Sequence, residues 1–185
     1  MLRIGFALIT LLAGSFGSIA GAQGQVFFPP PKESHKQHMK LLPVGEIAPN
    51  WQLNNPDGKV HSLAEYRGRV IVMDFWATWC GPCAKVMPRL QKVHEKLADK
   101  GVVVFGVNSW EKSDPIALMK QKGFSYELLL NGEQIADAYK VTTLPVVYIV
   151  GPDGKIIYCH EGQDQKDLSV VIEKYFKANG TPNGF

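Results

Sequence analysis

"RVIVMDFWATWCGPCAKVMP", residues 69–88, joins an apolar run to a pair of closely spaced cysteines and then to a helical pattern. The run from Val70 to Trp76 follows Gly68 and is apolar almost throughout, which predicts a strand buried on both faces. From Pro82 to Lys100, Val86, Leu90, Val93 and Leu97 recur at helical spacing, and Gly101 ends the pattern. Cys80 and Cys83 therefore sit where a buried strand hands over to a helix. A structural zinc site needs four ligands, and the downstream candidates Cys159 and His160 have a spacing that fits no zinc finger. Haem attachment needs a histidine directly after the second cysteine, where this chain has Ala84. A disulfide closing so tight a loop restricts the unfolded chain little and would be a weak staple. Electron exchange explains more. Backbone N–H groups at a helix start favour an anion, so the Cys80 thiol should be acidic and nucleophilic. Cys83, one turn along, can attack the mixed disulfide that results. Pro82 supplies a helical φ where no N–H is needed.

The flanking segments alternate between strand and helix patterns. "WQLNNPDGKVHSL" (51–63) carries the turn signal Asn55-Pro56-Asp57-Gly58 between two short extended runs, which predicts a hairpin. "VVVFGVN" (102–108) predicts a second buried strand. "DPIALMKQKG" (114–123) predicts a helix with Asp114 as N-cap, Pro115 in the first turn and Gly123 as its stop. A strand over 126–130 and a short helix over 132–140 follow. "PVVYIV" (145–150), the turn "GPDG" and "KIIYCHEG" (155–162) predict a hairpin, and 165–179 a final amphipathic helix. The fold class is α/β: a sandwich with a central mixed sheet flanked by helices, an N-terminal hairpin and a central helix–strand–helix insertion.

Residues 1–22 have a basic start at Arg3, an apolar stretch and small residues at Ala20 and Ala22. This layout predicts a secretory signal cleaved after Ala22, with an uncleaved N-terminal membrane anchor as the alternative. Cleavage would place the protein in a periplasmic or otherwise extracytoplasmic space, where paired cysteines can be oxidised. Residues 23–43 mix prolines with polar residues and read as a linker. The domain is expected over 44–178, with a C-terminal tail at 179–185. Net charge is +3, and no stripe of Lys and Arg is interleaved with aromatics, so nucleic-acid binding has no support.

"WCGPC" (79–83), preceded by "DFWA" (74–77) and followed by "TTLP" (142–145), resembles the active-site set of thioredoxin-like proteins. The exported N-terminus and the central insertion look like the TlpA/ResA-type extracytoplasmic thiol:disulfide oxidoreductases. The resemblance implies a protein-disulfide reductase with Cys80 as nucleophile, Cys83 as resolving thiol and a reversible Cys80–Cys83 disulfide. It implies that Pro145 is a cis-proline facing that disulfide, with the Leu144 backbone pairing with the substrate chain. Asp74 matches a buried acid that exchanges protons with the resolving cysteine. Trp79, Gly81, Pro82, Leu144, Glu161 and Gly162 would form the substrate-facing rim, the last two on a loop beside Cys80. Trp76 would be core packing. No cofactor or metal is implied. The partners would be protein thiols and disulfides, and a membrane electron donor would keep the cysteines reduced.

This chain departs from the pattern at two places. Many TlpA/ResA-type proteins carry a glutamate three residues after the second cysteine, where Val86 stands here. "TTLPVVYIV" also lacks the acidic residue after proline seen in cytochrome c maturation thioredoxins. Two alternatives use the same cysteines. One is a copper-handling module binding Cu(I), against which a shielding cis-proline argues; separately, His35, His38 and Met39 read either as a soft copper-binding tail or as solvated linker residues. The other is a redoxin-type thiol peroxidase, suggested by "APNWQL…FWATWC". Peroxidases of that kind need a Thr or Ser three residues before the cysteine and a proline four before that, where this chain has Ala77 and Met73. Cys159, the odd thiol, is expected to be an inert residue of the last strand.

Overall fold

The computed structural model describes residues 40–182. The expected signal, most of the expected linker, His35, His38 and Met39 lie outside the described residues. Among those described, no helix is long and apolar enough to cross a membrane.

A hairpin of β1 (Gln52–Asn54) and β2 (Val60–Ser62) comes first, followed by β3 (Val70–Trp76), α1 (Cys83–Leu97), β4 (Val102–Asn108) and α2 (Pro115–Lys122). Then come β5 (Glu127–Leu129), α3 (Glu133–Ala138), β6 (Val146–Val150), β7 (Ile156–Glu161) and α4 (Leu168–Asn179). The five-stranded sheet has the order β5-β4-β3-β6-β7. β3, β4 and β5 run parallel, while β6 is antiparallel to β3 and β7 to β6. β3 is the middle strand and every one of its residues is buried, as its unbroken apolar run requires.

Local chemistry sets the element ends. Asn55 Oδ1 accepts the backbone N–H groups of Asp57 and Lys59, which folds the first hairpin's turn. Asp114 accepts the Ala117 N–H, and Gly123 closes α2 in the left-handed conformation at φ 70°. α4 starts at Leu168, later than the expected 165. Asp167 is its N-cap, accepting the N–H groups of Ser169 and Val170. Gln165 is instead a buried loop residue that donates to the Gly162 carbonyl. Leu41 and Leu42, in the expected linker, pack against the core, and the Leu42 N–H donates to Tyr148 Oη.

Residue parity along the strands sorts the core into two layers. Val70, Val72, Trp76, Val104, Val147 and Ile149 pack with α1 and α4 on one face. Ile71, Met73, Phe75, Phe105, Val146 and Tyr148 pack with α3 and Trp51, Leu53 and Leu63 on the other. Because β6 runs opposite to β3, its first residue, Val146, lies beside Phe75 at the end of β3. The cysteine turn leaving β3 and the proline loop entering β6 therefore share one end of the sheet.

Candidate active site

Cys80 and Cys83 are joined by a disulfide, with Sγ–Sγ 1.99 Å. The pair is asymmetric: Cys80 keeps 6% of its surface exposed and Cys83 none. Pro82 already has helical angles (φ −61°, ψ −32°), but the hydrogen-bonded helix starts at Cys83, one residue later than expected. The first N–H of that helix, from Cys83, points at Cys80 Sγ at 3.2 Å. Cys80 thus sits at the positive end of a fifteen-residue α1, the position that favours a thiolate in the reduced form. Gly81 and Pro82 are exposed beside it, and Trp79 is half exposed.

Asp74 lies beneath, on the α1-covered face between Gly106 of β4 and Val147 of β6. It is fully buried, and neither carboxylate oxygen has a hydrogen-bond partner among the described residues. Desolvation raises its pKa well above the usual carboxyl value. Gly106 makes room for this arrangement. A Cβ there would stand 2.8 Å from Trp76 Nε1 and 3.1 Å from Tyr126 Cε2, so both rings close over the missing side chain. Trp76 Nε1 and Tyr126 Oη are also buried without hydrogen-bond partners among the described residues.

The loop after β4 holds the cysteine turn from the side. Glu111 accepts the Thr78 N–H at 3.0 Å, the Thr78 hydroxyl, Asn108 Nδ2 at 2.6 Å, and the N–H groups of Lys112 and Ser113. Partial burial pushes its pKa up, but the hydrogen bonds from Thr78, Asn108 and Lys112 outweigh that and hold the carboxyl at about 2. Trp79 Nε1 donates to the Trp110 carbonyl at 2.7 Å, and Lys112 Nζ stands 5.2 Å from the Trp79 ring centre. An apolar hollow of about 190 Å³ opens beside Cys80, lined by Trp76, Ala84, Met87, Leu118 and Phe124.

Leu144–Pro145 is a cis peptide, as expected. Leu144 is partly buried against the layer that contains both cysteines, and no hydrogen bond engages its backbone within the described residues. The expectation that Glu161 lies on a loop is corrected. It is the last residue of β7, because β7 pairs with β6 as far as Val146. Its carboxylate accepts the Thr143 hydroxyl at 2.6 Å, and the Gly162 N–H donates to the Pro145 carbonyl at 2.8 Å. Both residues brace the proline loop. Cys159 is a half-buried free thiol within β7. Trp76 is fully buried.

Residues 44–159 match the AhpC/TSA family. The chain belongs to the AhpC/TSA family. Within that family it is 27% identical to the thiol-disulfide oxidoreductase ResA of Bacillus cereus over 177 residues, covering 95% of each chain. It is 32% identical to the ResA of Bacillus subtilis over 115 residues, which is 61% of this chain and 64% of that one. The thioredoxin domain of a thiol-disulfide oxidoreductase from Bacteroides vulgatus superposes with TM-score 0.64 at 25% identity, covering 72% of this chain and 98% of that one. The fold is thioredoxin-like, and the chemistry of this AhpC/TSA chain is thiol–disulfide oxidoreduction.

The structure brings Cys80, Cys83, Asp74, Leu144 and Pro145 to one end of the sheet. Sequence reasoning missed Glu111, Trp110 and Tyr126. The stretch "NSWEKSD" (108–114) offered one signal: it leaves the C-terminal end of the parallel strand beside β3, where α/β folds gather functional groups.

Proposed function

We propose that the protein is an exported reductant of protein disulfides, with Cys80 attacking, Cys83 resolving and Asp74 carrying the proton. The asymmetry of the cysteine pair carries this reading. One sulfur is at the rim on the first helical N–H and the other is fully buried, while β3, the strand that leads into the turn, carries a fully buried acid, Asp74. In the reduced protein the Cys80 thiolate attacks a substrate disulfide, forming a mixed disulfide and releasing one substrate thiolate. Cys83 gives its proton to ionised Asp74 and attacks the Cys80 sulfur. The second substrate thiol leaves, and Cys80–Cys83 becomes the disulfide, so two electrons pass to the substrate. Desolvation raises the Asp74 pKa well above the ordinary carboxyl value, which makes its carboxylate a better proton acceptor than an ordinary one. The free backbone of Leu144, beside Pro145, offers the substrate chain a strand to pair with, and Trp79, Gly81 and Pro82 offer it surface. A membrane dithiol donor would restore the reduced form. Cleavage near Ala22 would deliver the protein outside the cytoplasm.

The decisive experiment traps substrates with a Cys83→Ala variant in the exported compartment. Protein partners held through Cys80, and released by reductant, are expected. Capture through Cys159 instead, or wild-type protein that reduces no protein disulfide, would refute the reading.

A further inference from the structure

Trp110 has a backbone that a bulky residue rarely adopts, with φ 54°. Such strain persists where surrounding groups hold it, and here both sides of the residue are held. The Trp110 N–H donates to Glu133 Oε1 of α3 at 2.7 Å, and its carbonyl accepts Nε1 of Trp79 at 2.7 Å. The residue next to Trp79 is Cys80. Glu133 is itself seated by its neighbour Gly132, whose N–H donates to the Asn108 carbonyl at 2.9 Å. A Cβ at Gly132 would stand 2.4 Å from Val107 Cγ1 and 2.7 Å from Ser109 Oγ, so the start of α3 is pressed directly onto the end of β4.

We propose that Glu133 and the Trp110 peptide are positioning groups for substrate docking: they fix the Trp79 indole beside Cys80 as a preformed platform for a protein substrate. The inference rests on the reductase reading above. Trp79 is half exposed, and an exposed aromatic normally samples several rotamers. Its hydrogen bond to a carbonyl that cannot swing away, with Lys112 over the ring, selects one orientation before a partner arrives. A substrate then has less ordering to do on the protein side, which appears as tighter docking rather than faster chemistry. A small disulfide reaches Cys80 without touching the platform and gains nothing from it.

The test uses the full-length reduced protein with two substrates, insulin and oxidised glutathione. Glu133→Ala removes the acceptor of the Trp110 N–H, whereas Glu133→Gln keeps an oxygen acceptor. For Glu133→Ala, KM for insulin should rise about fivefold to tenfold with kcat little changed, and the rate with oxidised glutathione should stay near that of the wild type. Glu133→Gln should restore most of the insulin KM. Trp79→Phe keeps a ring but loses the indole N–H, so adding Glu133→Ala to it should raise KM much less than it does in the wild type. Equal losses on both substrates, no rescue by glutamine, or fully additive effects in the double variant would overturn the proposal. Wild-type protein that reduces oxidised glutathione but not insulin would overturn the reductase reading and this inference with it, whereas normal insulin kinetics in Glu133→Ala would overturn the inference alone.

Discussion

Two carboxylates flank the active-site turn and meet opposite fates. Asp74, on β3 ahead of it, is buried with no hydrogen-bond partner among the described residues and is driven toward the protonated form. Glu111, beside it, accepts five hydrogen bonds and is held ionised down to about pH 2. The chemical group is the same; the supply of donors decides its role. A carboxyl deprived of donors can exchange a proton, and one surrounded by them becomes a fixed anchor for a loop. The protein thus keeps its mobile proton and its rigid scaffold on different sides of the same turn.

Converting the buried acid to its amide should have the largest effect. Asp74→Asn is expected to slow reduction of disulfides about a hundredfold near neutral pH, within the range for removing a general acid–base group. It should also stabilise the fold. The folded-state pKa lies above the unfolded value near 3.8, so the wild type bears no penalty below that pH and an increasing one as pH rises. Thermal melts should therefore favour the variant more at pH 8 than at pH 4. A variant less stable than the wild type at pH 8 would mean that Asp74 is a satisfied structural residue.

Filling the space beside the acid comes next. Gly106→Ala would press a methyl into Trp76 and Tyr126 and is expected to cost about 1–3 kcal/mol in denaturant unfolding, as overpacking does. An unchanged midpoint would show that the two rings can move apart.

Removing the anchor should cost somewhat less. Glu111→Ala is expected to lose about 1–2 kcal/mol, charged hydrogen bonds being discounted for a carboxylate partly open to solvent. The sign of its pH dependence is opposite to that of Asp74. Its folded pKa lies below the unfolded 4.5, so its stabilisation is complete above that pH and fades as pH falls toward 2. The gap between wild type and variant should close over that interval.

Cys159→Ser should have the smallest effect. Burial raises the Cys159 thiol pKa, so in the oxidised protein alkylation should be slow at neutral pH. Turnover with and without the substitution should agree within twofold or so. A large loss would bring a third sulfur into the mechanism.

The half of this site that was legible in the sequence is the half built from local pattern. The strand 70–76 is a continuous apolar run, Cys80 and Cys83 sit one helical turn apart, and Asp114, Pro115 and Gly123 are helix punctuation. Each is decided by neighbours along the chain. Glu111 is not. It serves Thr78 across thirty-three residues, and nothing in "SWEKS" distinguishes it from a solvated charge until β3 and β4 are placed side by side. Tyr126 and Gly106 were hidden for the same reason, since a glycine in a strand reveals its purpose only when the rings packed over it are known. The pattern puts the start of α4 too early because Gln165 and Lys166 continue a helical spacing, while the competing cap at Asp167 is a three-dimensional choice.

The brace on the cysteine turn hangs from a loop and a six-residue α3, apart from β3, which carries Asp74, and from α1 and the turn before it, which carry the cysteines. Evolution can therefore edit it almost independently of the electron-transfer core. Substitutions at 110, 112, 113 or 133, leaving the Glu111 anchor in place, alter what a partner meets without touching Cys83 or Asp74. One reactive centre could be inherited intact by descendants that differ in clientele, each changing a few loop residues while the sheet stays the same.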